Sequence, residues 1–207
     1  MSKVPLNGGS TQQLAGGQVD PHGLAVDSVS MYWSTGDGYL RTALLDGGGR
    51  RDLASNQADP LWIAISPQSI YWTNNGDGTV CSMPIDGGLV IPIASSQDDP
   101  IQIASDSTDV FWTDQHGGAI GSALLDGGLE HALYSSSVTP YGIAIDSDGI
   151  YYTDFNLSTV TMISRDGGSI RVLAQAPEVS EPEGIAVDEK AIYWTNYGSG
   201  TVMKLAK

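Results

Sequence analysis

The chain repeats one aromatic motif at nearly constant intervals, and this limits the possible folds more than any other feature. The segment "SIYWTNNGDGTV" at residues 69–80 returns as "AIYWTNYGSGTV" at residues 191–202, and related segments occur before and between them. Repeats of about 40 residues are typical of stacked or radial architectures. The first aromatic residues of the five copies are spaced 39, 40, 40 and 42 residues apart: Tyr32, Tyr71, Phe111, Tyr151 and Tyr193.

Two further landmarks recur in register with the aromatic motif. A tight-turn signal reads "NGG" once and "DGG" four times, and a proline precedes each short apolar run such as "GIAVD". Three markers in one register predict that residues 1–207 form a single repeat domain. The turn signals start at Asn7, Asp46, Asp86, Asp126 and Asp166, and the prolines are Pro21, Pro60, Pro100, Pro140 and Pro182.

Each repeat contains four β-prone segments. "GIAVD", "IYWTN", "GTVCSMPI" and "VIPIA" read as successive strands, and "DGG" supplies the positive φ that a hairpin turn needs. A four-stranded unit cannot bury both faces alone, so copies must pack face to face. The predicted fold class is therefore all-β, a β-propeller of five four-stranded antiparallel blades.

The chain ends resemble the two parts of one blade. The N-terminal "KVPLNGGSTQQLA" matches a third strand, turn and fourth strand, whereas the C-terminal "GTVMKLAK" matches a third strand. We expect the N-terminal segment to complete the last blade and to close a monomeric ring.

The aromatic pair of the motif is expected to form the core between blades. Neighbouring residues of a strand point to opposite faces, so Tyr71 and Trp72 should pack against the blades on either side of their own.

Composition excludes some partners. The formal charge is −15 and the sequence pI is about 4.1, and the few basic residues are dispersed, so nucleic acid is not expected to bind. No apolar stretch reaches the roughly 18 residues of a membrane helix, and no charged and apolar leader precedes the first repeat, which predicts a soluble chain without a membrane partner. The single cysteine, Cys81, is expected to be buried and inert.

The motifs "YWTN", "FWTD", "YYTD" and "YWST", each followed by a "DGG" turn or the chain end, resemble the YWTD β-propeller family. That family includes the propellers of low-density-lipoprotein receptors, and the chain is even more similar to bacterial repeat proteins of the same type. The resemblance implies a propeller in a secreted or cell-envelope setting.

Family propellers usually have six blades, whereas this chain has five motif copies, so either the ring closes with five or the array completes itself by association. The last motif position keeps the family's aspartate in two copies, Asp114 and Asp154. It departs from the aspartate in the other three, which have Thr35, Asn74 and Asn196.

One rim of the propeller is the predicted binding face. Strand order should place the loop before each first strand and the loop after each motif on the same rim, opposite the "DGG" turns. Positions that differ between copies can specialise, although ordinary loop variation without any ligand is an equal alternative. The candidates at the channel mouth are His22, Leu61, Trp62, Ile101, Gln102, Tyr141 and Glu183, and those after the motif are Asn75, His116, Phe155 and Tyr197.

Metal and catalytic signatures are weak. The three histidines, His22, His116 and His131, share no spacing, and no HExxH, nucleophile-elbow or EF-hand pattern occurs. The "GDG" segments at residues 36–38 and 76–78 fit turn chemistry better than a calcium loop. We therefore expect no metal, no cofactor and no catalytic residue.

Two classes of function remain, together with a repeat fragment or folding-study chain that has no ligand of its own. The favoured hypothesis is a binding or scaffold propeller that recognises a protein or glycan through its variable rim. The alternative is an enzyme like the related lactonase and lyase propellers, with a site at the channel mouth. A hydrolytic metal site would need about three or four polar ligands there. The mouth offers His22 and Glu183, which should become neighbours when the ring closes and form a polar pair or plug.

Overall fold

The repeats form five antiparallel sheets in chain order in a computed structural model, which describes residues 1–136 and 138–207. Within those ranges four sheets have four strands, the fifth has three, a two-stranded sheet precedes them, and no helix occurs. The predicted all-β propeller with five blades is confirmed.

The strands of the N-terminal pair and of blade 1 are β1 (Ser2–Lys3), β2 (Gln12–Gln13), β3 (Pro21–Val26), β4 (Ser30–Thr35), β5 (Tyr39–Leu44) and β6 (Arg51–Ala54). Blade 2 consists of β7 (Pro60–Ile65), β8 (Ser69–Asn74), β9 (Thr79–Pro84) and β10 (Ile91–Ala94). Blade 3 consists of β11 (Pro100–Ser105), β12 (Asp109–Asp114), β13 (Ala119–Leu124) and β14 (His131–Ser135). Blade 4 consists of β15 (Pro140–Ile145), β16 (Ile150–Asp154), β17 (Thr159–Ile163) and β18 (Ile170–Gln175). Blade 5 consists of β19 (Pro182–Val187), β20 (Ala191–Asn196) and β21 (Thr201–Ala206).

The "DGG" segments are the hairpin turns that the sequence predicts. In the first of them the Asp46 carboxylate accepts the Gly48 N–H at 2.7 Å, and the Gly47 N–H donates to the Leu44 carbonyl at 2.9 Å. Gly47 has a φ of 93°, a conformation that a side chain disfavours. The turn therefore depends on the glycine and on the aspartate cap together.

The motif aromatics pack on opposite faces of their strand, as predicted. Tyr71 lies in a buried cluster with residues of blade 3, including Val110 and Trp112. Trp72 lies in a different cluster, with Tyr32 and Leu40 of blade 1. Blades 2 to 4 are thus each held to the next blade by the first aromatic and to the preceding blade by the second.

The ends of the chain differ from the expected arrangement. The N-terminal strands pair with each other, and among the described residues no strand pairs with the outer edge of β21. Leu14 and Ala15 instead pack with Met31 and Trp33, so burial holds the N-terminal segment on blade 1. Extensive contacts between blades run in order from the first to the fifth, and no contact of that extent joins the described parts of blades 5 and 1. The N-terminal segment does not complete blade 5 in this structure.

Cys81 is buried in blade 2, as predicted. Burial raises the pKa of its thiol, which disfavours the reactive thiolate at neutral pH.

Two ion pairs join successive blades on the side of the "DGG" turns. Arg165 pairs with Asp106 of blade 3, and Lys207 pairs with Asp146 of blade 4. These two cations stand at the repeat position that Leu45 and Leu125 fill with apolar contacts in other blades. The interfaces between blades 3 and 4 and between blades 4 and 5 therefore have an ion pair where other interfaces have apolar packing.

The two acidic partners should make the fold more stable at neutral than at acid pH. Burial acts to raise the pKa of Asp106 and Asp146, but backbone N–H donors and the paired cations outweigh it and lower both values. A folded pKa below the unfolded one stabilises fully above about pH 4, and the contribution is lost as the pH falls through the lowered pKa. Urea unfolding should show the Asp106→Asn, Asp146→Asn variant to be less stable than the native protein at pH 7, and by a smaller margin at pH 3.

The control for this experiment is Asp126→Asn, which changes an exposed turn carboxylate that forms no ion pair within 4.0 Å among the described residues. If the double variant lost the same stability at both pH values, the carboxylate charges would not be the source of the effect.

Candidate binding site on the rim

The strand register brings the two variable loops of each repeat to one edge. The first residue of β7, Pro60, pairs with the last residue of β8, Asn74, and the same pairing recurs in every blade. The "DGG" turns join third and fourth strands at the opposite edge, since β9 runs from Thr79 beside Asn74 to Pro84 beside Ser69. We call the first edge the rim, which contains residues 18–23, 36–38, 57–62, 75–78, 97–102, 115–118, 138–142, 155–158, 178–183 and 197–200.

A belt of motif hydroxyl groups fixes the inner strands below the rim. Thr113 Oγ1 accepts the Gln102 N–H of its own blade at 3.0 Å and donates to the Tyr141 carbonyl of the next blade at 2.9 Å. Thr153 repeats this with Gly142 at 2.8 Å and Glu183 at 2.7 Å. The belt consists of Ser34, Thr73, Thr113, Thr153 and Thr195, and the last of these bonds only its own blade, through the Gly184 N–H.

The candidates at the start of the first strands are not equally accessible. His22 and Trp62 are exposed, and Leu61, Tyr141 and Glu183 are partly exposed. Ile101 and Gln102 are buried.

The buried amide of Gln102 has a structural contact. Its Oε1 accepts the Ile143 N–H of the next blade at 3.1 Å. Gln102 therefore contributes to packing between inner strands, which its repeat position alone did not indicate.

An aspartate that sequence reasoning missed joins two predicted residues. Asp99 lies next to His116, with Nδ1 and Oδ2 3.0 Å apart, and it also accepts a hydrogen bond from the Asn75 amide of blade 2. The residue before the repeat proline is acidic in four of the five copies, which was the available signal. Asp99 has a φ of 74°, and its carbonyl accepts the Gln115 N–H at 3.0 Å, so its backbone links the two loops.

The Tyr141 phenol lies within electrostatic range of two acidic groups of the rim. Burial raises the pKa of its phenol, and the negative charges of Glu183 and Asp99 raise it further. The phenol therefore stays protonated at neutral pH and can donate a hydrogen bond to a ligand.

The expected contact between His22 and Glu183 is not formed in this structure. His22 Nε2 lies 3.4 Å from Asp20 Oδ2, and among the ion pairs within 4.0 Å in the described chain none joins His22 to Glu183. The two residues occupy the first and last blades, which make no extensive contact, so the pair depends on a closure that the structure does not contain.

The remaining candidates lie in the loops after the motif. Tyr197 is 69% exposed, and Phe155 is partly buried. His116 is exposed and Asn75 partly exposed. With Trp62, which is 38% exposed, these residues offer aromatic surface beside amide and acidic groups.

The "GDG" segments act as turns, as predicted. Asp77 Oδ1 accepts hydrogen bonds from the Thr79 hydroxyl at 2.7 Å and from its N–H at 3.2 Å. In the first copy Asp37 pairs with Arg41 at 3.1 Å.

Within residues 1–136 and 138–207, no three His, Cys, Asp or Glu residues form a group that could hold an ion. The same ranges contain no helix long and apolar enough to span a membrane.

Comparisons with known proteins define the fold. No family model and no curated protein matches the sequence. A structure of a nidogen/laminin complex matches 90% of this chain to 75% of its own, with a TM-score of 0.79 and 20% identity. The match to virginiamycin B lyase from Staphylococcus aureus covers 92% of this chain and 71% of the lyase chain, with a TM-score of 0.74 and 18% identity. The match to a streptogramin B lyase covers 91% of this chain and 69% of that chain, with a TM-score of 0.75 and 16% identity. At such identities the likeness shows the fold alone, a β-propeller.

Proposed function

We propose that this protein is a non-enzymatic binding propeller that recognises a protein or glycan through its rim. The observation that supports this is the exposure of Trp62 and Tyr197 on the same edge as the hydrogen-bonded Asn75, Asp99 and His116. Exposed aromatic side chains supply contact area at low entropic cost, and fixed polar groups beside them supply orientation. These residues belong to blades 2, 3 and 5, and the strand register brings them to one edge.

The rim supports binding better than it supports a lyase-type reaction. Two of the structural neighbours are named as lyases, so an enzyme with this fold is the alternative. Such an enzyme would need an acid and a base within reach of one substrate atom. His22 and Glu183, the polar pair expected at the channel mouth, make no ion pair with each other within 4.0 Å.

Substitution of the exposed aromatics should weaken the binding of ligands to the rim. We expect a peptide display library or a printed glycan array to give ligands that bind the native protein at least ten-fold more tightly than the Trp62→Ala, Tyr197→Ala variant. Both side chains are exposed, so their removal should leave the fold intact.

The matched control is Leu89→Ala, Leu129→Ala, which removes two exposed apolar side chains beside the "DGG" turns on the opposite edge. It should bind like the native protein. Ligands that bind the rim variant equally well, or libraries in which no member binds above background, would contradict the proposal.

A further inference from the structure

The last blade has an apolar face that no blade covers. Val202 of β21 is 76% exposed, whereas its four counterparts in the other blades are at most 1% exposed. Tyr193 is only partly buried, although the first motif aromatics of the other blades are buried. We call this surface the back face of blade 5. The counterparts of Val202 are Leu40, Val80, Ile120 and Val160.

The first blade has a matching open surface on its other side. Leu24 is 53% exposed, whereas its counterparts in blades 2 to 4, Ile63, Ile103 and Ile143, are 5–8% exposed. Leu24 lines a groove of about 280 Å³ with Val26, Met31 and Leu45 on one side and the N-terminal segment on the other, and we call it the front groove of blade 1. The N-terminal residues that line it are Met1, Ser2, Lys3 and Leu14.

The internal interfaces show which side chain such a groove takes. In blade 3 the counterparts of Leu24, Met31 and Leu45 are Ile103, Val110 and Leu125. There Tyr71 of the preceding blade packs against them, and its hydroxyl donates to the Leu125 carbonyl at 3.2 Å. The front groove therefore contains the counterparts of the residues that hold Tyr71, including the carbonyl that accepts its hydroxyl. In this structure Lys3 Nζ donates to that carbonyl, on Leu45, at 2.7 Å.

The N-terminal segment fills only the outer half of the blade position that precedes blade 1. The Met1 carbonyl accepts the Leu14 N–H at 2.9 Å, as a third strand does from a fourth. Gln18 Oε1 accepts the Trp33 indole N–H at 2.8 Å, as Gln97 does for Trp112 in blade 3. Among the described residues, no first or second strand stands at this position, and blade 5 has no fourth strand.

We propose that the space between blade 5 and blade 1 is a docking site for a three-stranded β-element of the same repeat type, supplied by a partner chain. Its fourth strand pairs with the outer edge of β21, and its first and second strands stand inside β1. Its motif tyrosine enters the front groove, and its motif tryptophan covers Tyr193 and Val202, as Trp72 covers Tyr32 and Leu40. Strand addition to a free edge supplies affinity through the backbone, and the two aromatics supply specificity.

The chain itself contains a segment of the required kind. Residues 50–74, "RRDLASNQADPLWIAISPQSIYWTN", form a fourth, a first and a second strand in succession. A synthetic peptide of this sequence should bind the full-length protein saturably and should slow amide hydrogen exchange in residues 201–206. The same peptide with Tyr71→Ser and Trp72→Ser should bind at least ten-fold more weakly.

Variants of the protein locate the site. Val202→Lys and Leu24→Lys change exposed side chains on the two sides of the space and should each weaken peptide binding at least ten-fold. Leu89→Lys, an equally exposed apolar position beside a "DGG" turn, should leave binding unchanged.

Three other results would overturn the proposal. If the peptide does not bind and the protein self-associates with rising concentration unless Val202 is changed to Lys, a second copy covers the face. If the peptide does not bind and residues 201–206 are already protected in a monomer, the chain closes on its own N-terminal segment. If the peptide does not bind to an unprotected monomer, the face is bare.

Discussion

Replacement of Trp72 or Trp112 by alanine is expected to lower the free energy of unfolding by about 3–5 kcal/mol, the usual cost of removing a large buried aromatic side chain. Trp72 is fully buried and Trp112 is 1% exposed, each in a cluster that spans two blades. Each change removes the second anchor of its blade and also leaves a glutamine carbonyl without its indole donor, Gln57 in one case and Gln97 in the other. Urea unfolding followed by circular dichroism measures the loss.

The partly exposed Trp62 provides the control. Trp62→Ala should cost no more than about 1–2 kcal/mol, since part of that side chain is already in water. If Trp72→Ala, Trp112→Ala and Trp62→Ala shifted the midpoint equally, burial between blades would not explain the recurrence of the motif aromatics.

The second large effect is expected in the hydroxyl belt. Thr113→Val keeps the shape of the side chain but removes the oxygen that bonds the Gln102 N–H and the Tyr141 carbonyl. Leaving buried polar groups unpaired costs about 1–3 kcal/mol. The expected result is a loss of that size in the free energy of unfolding.

Two matched variants separate the hydrogen bonds from packing. Thr113→Ser should keep most of the stability, because Ser34 serves the same purpose in blade 1. Thr195→Val should cost little, because that exposed hydroxyl bonds only the Gly184 N–H of its own blade. A loss with Thr113→Ser as large as with Thr113→Val would point to side-chain shape and not to the hydroxyl belt.

The rim was predictable in outline and not in detail. The prolines and the motifs placed both variable loops on one edge because antiparallel pairing of adjacent strands requires it. The bridge from Asn75 through Asp99 to His116 was not predictable, since it joins residues of two blades. The burial of Gln102 was not predictable for the same reason, because its hydrogen-bond partner Ile143 lies in the next blade.

The sequence by itself determined what depends on short stretches of chain: the strands, the turns of the "DGG" segments and the opposite facing of Tyr71 and Trp72. Side-chain direction alternates along a strand and a turn needs particular residues, so local patterns suffice for these features. Only the tertiary structure decided how the ends lie. Whether blade 5 meets blade 1 depends on the sum of the angles between all successive packed sheets. No short stretch of sequence determines that sum. The N-terminal segment accordingly stays on Trp33, where it buries apolar surface, and Val202 remains exposed.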